Sequence, residues 1–152
     1  MARVHSALLP GNSTLHSHRA PGDFLDTYAT TSDLQPRDAA DIIGAFPGWV
    51  QALVKLRGAL VRPFGLMADP PQADGDRVGP FPLVSESDDE VLAGFDDTHL
   101  NFLVSVCRQD GKIHLSTWVR PHNFGGRAYL TLIMPFHIAV VRNALHRVAR
   151  AR

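Results

Sequence analysis

A single cysteine, Cys107, leaves this 152-residue chain no partner for an intrachain disulfide, and a reducing compartment suits such a chain. Cys107 falls in an alternating strand pattern with no basic neighbour before Arg108, which fits a packed thiol better than a reactive one. Net charge is also missing: fifteen Lys and Arg balance fifteen Asp and Glu. Phosphate recognition needs a net basic face, so the balance argues against nucleic acid as a partner. Arg142, Arg147, Arg150 and Arg152 crowd the C-terminus, where arginines suit the negative end of a helix. The opening residues MARVHSALLPGN lack the apolar stretch of a signal peptide. The longest apolar run, residues 128–141, is broken by Pro135 and His137 and is too short for a membrane span. The expected setting is therefore cytoplasmic.

No phosphate-binding Gly-rich loop, dinucleotide fingerprint or G-x-S-x-G nucleophile elbow occurs. Eight histidines are present, but His16 and His18 have no Cys or His-x-x-x-His partner. Neither a metal nor a cofactor is expected.

What is present reads as one α+β domain, residues 23–152, after an irregular N-terminal segment, residues 1–22. Residues 23–31 (DFLDTYATT) favour a strand, with a helical turn from Gly22 as the alternative. Pro36 opens a helical pattern to Phe46, capped by Ser32 or Asp33. After Pro47-Gly48 a second helix is expected over 49–62. Trp49, Leu53, Leu56 and Leu60 would form its buried face. Residues 68–80, with three prolines and two glycines, form a loop. Strands follow at 81–86, 90–95, 99–109 and 113–120. Asp110-Gly111 makes the last turn, because Asp-Gly tolerates the positive φ of a tight reversal. Ile113, Leu115, Thr117 and Val119 share one face of the last strand. His114, Ser116, Trp118 and Arg120 share the other. After Gly125-Gly126 the apolar period changes from two to 3.6, predicting a long C-terminal helix kinked at Pro135. The antiparallel sheet and this helix bury each other's apolar faces, and such an arrangement often encloses a ligand cavity.

The runs GPFPLVSESDDEVLAGFDDTHLNFLVSV and STWVRPHNFGGRAYLTLIMPFHIAVVRNALHRV, with DFLDTY and FPGWVQALVKLRGALVRPFGL before them, resemble the bacterial family called domain of unknown function 2867. The most specific pieces are Pro47 with Trp49, Leu56-Arg57, Phe64-Gly65-Leu66, Asp97 with His99-Leu100, His122-Asn123 with Gly126-Arg127, and Pro135-Phe136-His137. The resemblance implies a helix-grip shape, similar to START and Bet v 1 proteins, that encloses a small apolar ligand. The sequence departs from the family's pattern at Asn101-Phe102-Leu103 and at Ile138, where charged residues are usual.

Residues 120–127 (RPHNFGGR) are the most site-like stretch, lying where a strand gives way to a helix. Arg127 and the helix start could hold a carboxylate or phosphate, with His122 and Asn123 adding a titratable group and an amide. The structural alternative makes Asn123 a helix cap. His99 follows Asp96-Asp97, the raw material of acid–base work and also of a polar turn. His137 either faces a cavity or bonds a carbonyl freed by Pro135.

The leading expectation is a domain that binds a small apolar or amphipathic molecule. Trp118, Phe102 and Tyr129 would wall the site, with Arg120, His122, Asn123, Arg127 and His137 at its polar end. An enzyme using His99 or His122 as acid or base is the first alternative. A protein–protein interaction domain with a filled core is the second. A cavity above about 300 Å³ would favour ligand binding, and an exposed apolar patch would favour interaction. Ligand identity and oligomeric state are not legible.

Overall fold

The computed structural model describes residues 3–64, 75–96 and 100–151. The chain is α+β. One seven-stranded antiparallel sheet, ordered β1-β2-β7-β6-β5-β4-β3, carries the helices α1 and α3, and α2 follows α1 in the chain. Its strands are β1 (His5–Ser6), β2 (Phe24–Thr31), β3 (Arg77–Val78), β4 (Phe81–Glu86), β5 (Glu90–Asp96), β6 (Leu100–Gln109) and β7 (Lys112–Pro121). The helices are α1 (Pro36–Gly44), α2 (Gly48–Val61) and α3 (Phe124–Arg150).

Residues 23–31 are thus strand and not helical turn, because Phe24 to Thr31 ladder against Val119 to Lys112 of β7. The β6–β7 hairpin turns on Asp110 and Gly111, both at positive φ (53° and 72°), with Gln109 opposite Lys112. Two short strands, β1 and β3, add to the expected set. They are two residues each, too short to show a period. Helix α1 has Gln35 at its N-cap without a side-chain cap, contrary to the Ser32 or Asp33 expectation. Ser32 Oγ instead accepts from the Leu34 N–H, and Pro36 starts the helix.

Register places Tyr28, Leu115, Val106 and Val91 in one row, and Phe24, Val119, Phe102 and Phe95 in another. This face meets α1 and the second half of α3, through Ala39, Ala40, Ile43, Val141, Ala144, Leu145 and Val148. Arg147 fastens the two helices by donating to the Ile42 and Ala45 carbonyls at the end of α1. That contact uses an arginine that would otherwise merely solvate a helix end.

The opposite face is covered too. Residues 3–22, expected to be irregular, hold β1 and a 3-10 turn, Thr14–Ser17. Leu15 lies fully buried against Leu92, Leu103 and Trp118. Glu90, at the start of β5, accepts from Ser13 Oγ (2.5 Å), Thr14 N (2.9 Å), Thr14 Oγ1 (2.6 Å) and Ser105 Oγ (2.5 Å). Burial alone would raise the Glu90 carboxyl. The hydrogen bonds from Ser105, Ser13 and Thr14 outweigh it and hold the group below its ordinary value.

Helix α2 departs most from expectation. Val50 and Gly58 are buried, but Trp49, Leu56 and Leu60 are exposed. Its contact side is rotated away from the Trp49–Leu53–Leu56–Leu60 stripe. Helix α3 runs unbroken through Pro135, from Phe124 to Arg150, longer than the apolar run in the sequence. By length and composition it could cross a membrane, but its second half belongs to the core.

Candidate functional site

The sequence-predicted site residues fall into three places. Trp118 and Arg120 lie on the face covered by residues 3–22. Trp118 is buried and donates its Nε1–H to Asp23 Oδ2 at 2.9 Å. Arg120 reaches both Asp23 oxygens at 3.0 and 2.9 Å, and the His18 carbonyl at 2.8 Å. The Arg120 hydrogen bond lowers the Asp23 carboxyl to about 2. Both side chains thus hold the N-terminal segment to the sheet, on the side away from α3.

The second group sits where β7 passes into α3. Asn123 Oδ1 accepts from the Gly126 N–H at 3.0 Å, which makes it the helix cap. His122 Nε2 lies 2.6 Å from Asp96 Oδ1, with both side chains exposed. Asp96, one of the two acids expected to serve His99, is therefore beside His122. His99 and Asp97 lie outside the described residues. Arg127 is exposed in the first turn of α3 and has no ion pair with a described residue.

His137 defines the third place. From α3 it meets the sheet face that carries Phe24, and its Nε2 donates to Asp26 Oδ2 at 3.0 Å. The pair is mostly buried, with 16% and 19% side-chain exposure. The ring stands edge-on to Phe24, 6.1 Å between centroids. Asp26 Oδ1 is buried with no hydrogen-bond partner among the described residues. Asp26 was not legible as a site residue, since a single acid in a strand pattern carries no spacing signal. Its position opposite Thr117 in the register puts it on the helix-facing side.

Along that same side Phe81, Phe95 and Phe102 form an aromatic cluster, with centroids 4.7 to 6.5 Å apart. An enclosed apolar cavity of about 30 Å³ lies nearby, among Ile43, Phe46, Phe81, Ala93 and Val104. That is room for about one or two waters. A larger hollow of about 370 Å³ is open to solvent and bounded only by residues 19–23. Among the described residues no group of three or more His, Cys, Asp or Glu gathers as a metal site would need. Cys107 is buried on the covered face, and burial, with Glu90 and Asp89 nearby, pushes its thiol up to about 12.

Fold and candidate site together define an α+β domain with a long C-terminal helix laid across one antiparallel sheet. The chain belongs to the family described as protein of unknown function (DUF2867), whose model matches residues 20–144. No curated protein and no solved structure matches the chain.

Proposed function

We propose that the chain binds a small apolar or amphipathic molecule between the first half of α3 and the aromatic end of the sheet, in the manner of helix-grip proteins. The observation that carries this reading is the buried Asp26 Oδ1, an acceptor without a donor among the described residues, beside His137 and Phe24. Leaving such an acceptor unsatisfied costs about 1–3 kcal/mol, and a ligand hydroxyl or N–H placed there would recover it. Pockets for small molecules measure about 300 Å³ or more, far above the 30 Å³ enclosed here. Binding therefore requires the first half of α3 to lift from the sheet. Pro135, which donates no backbone hydrogen bond, is a natural point for that motion.

The small cavity, together with the exposed Leu56, Leu60 and Leu132, supports a second reading: an interaction domain that works through its surface. Native mass spectrometry of the purified chain, compared with its denatured mass, decides between them. The ligand reading expects extra mass released on denaturation, and less of it retained by Asp26→Asn. A chain that is empty, and that takes up no apolar dye, sinks the ligand reading.

A further inference from the structure

We propose that the exposed face shared by α2 and the first half of α3 docks the protein on an anionic lipid surface. The apolar component is large. Phe124 is 83% exposed, Leu132 73%, Leu60 60%, and Leu56 and Phe136 55% each. The two helices meet where Arg57 Nε donates to the Tyr129 hydroxyl at 2.5 Å, with the guanidinium 5.3 Å from the ring centre. Leu56 and Leu60 flank that contact on α2, and Leu132 follows it by less than one turn on α3. The apolar edges of the two helices thus lie about one junction.

The charge on these helices is one-sided. Helices α2 and α3 contain no Asp or Glu, although the whole chain balances fifteen acids against fifteen bases. Lys55, Arg62, Arg127 and Arg142 are exposed and make no ion pair with a described residue. Asp96, at the end of β5, is held by His122 beside the start of α3. Exposed Phe and Leu beside Lys and Arg on helices lying in a surface is the pattern of an interfacial lipid-binding face.

A second copy of the chain does not fit this face, because two faces built on helices with bases and no acids would oppose like charges. A membrane span does not fit α3 either, since Val141, Ala144, Leu145 and Val148 are built into the core. An anionic leaflet meets both features, with apolar side chains entering the acyl boundary and bases meeting headgroups.

The test is co-sedimentation of the full chain with phosphatidylcholine vesicles, with and without phosphatidylglycerol, at low and high salt. Binding is expected with phosphatidylglycerol only, and should weaken with salt. It should shift tryptophan emission to the blue, through exposed Trp49, since Trp118 is already buried. Lys55→Ala and Arg127→Ala should each weaken binding about fivefold. Leu132→Ser with Phe136→Ser should abolish it while leaving the circular dichroism unchanged. Failure to bind anionic vesicles overturns the proposal, and so does binding that these variants leave intact. A concentration-dependent dimer lost in the same variants would assign the face to a second copy and equally overturn it. None of these outcomes depends on ligand retention at Asp26, which is read separately by mass.

Discussion

At the scale of the residue, Glu90 is the most consequential side chain outside the candidate site. It is 4% exposed, charged, and without a basic partner among the described residues; three side chains and one amide solvate it instead. A buried carboxylate so supplied remains ionised. Replacing it with alanine strands the hydroxyls of Ser13 and Ser105 in the interior. Glu90→Ala should cost about 3 kcal/mol. In a domain of this size that lowers Tm by roughly 6–12 °C, which a circular dichroism melt will measure. Glu90→Gln, which keeps the shape, should cost less. Little of this was legible in the sequence. Ser13 and Thr14 lie 77 and 76 residues from Glu90 in the chain, so no local spacing links them. By contrast the Asn123 cap was legible, because capping depends on local spacing alone.

At the scale of the element, apolar spacing located every main helix and strand but said less about which face is used. The alternation in β6 and β7 was clear, and the ladder Leu100 to Gln109 against Pro121 to Lys112 bears it out. The stripe in α2 was equally clear, yet the helix exposes most of it, because periodicity reports an amphipathic face without naming what covers it. Helix α3 is divided in its packing. Its second half buries Val141, Ala144, Leu145 and Val148, whereas the first half leaves Leu132 and Phe136 in solvent. Local stability follows buried contact, so the two halves should open at different free energies. Hydrogen exchange is expected to be slower, on the order of tenfold or more, for amides 141–148 than for 128–134. Equal protection along α3 would contradict the lifting motion that ligand entry requires.

At the scale of the whole molecule, the central strands β5, β6 and β7 are buried on both faces, and this explains what strand polarity alone left open. Leu103 and Trp118 interrupt simple alternation because their face is not a solvent face: Leu15 and Leu9 pack over it, beside Leu25 of β2. Nothing in the composition of residues 1–22 announces a cover, since Val4, Leu15, a two-residue strand and a few polar contacts carry the attachment. Several of those contacts gather at Asp23, which accepts from Trp118 Nε1, Arg120 and the Ala20 amide. Its carboxyl stands at about 2 in the folded chain against an ordinary 3.8. Between those values the unfolded chain binds more protons than the folded one, so stability rises with pH across that window. Asp23 therefore contributes fully above about pH 4, and its contribution is lost as pH falls toward 2; Glu90, also lowered, adds a loss of the same sign. The urea midpoint, followed by Trp118 emission, should fall over this range in the native sequence. Asp23→Asn should start from a lower midpoint at neutral pH and fall less steeply in acid. An unchanged slope in Asp23→Asn would mean that the N-terminal cover is held by its other contacts, Val4, Leu15 and Glu90 among them.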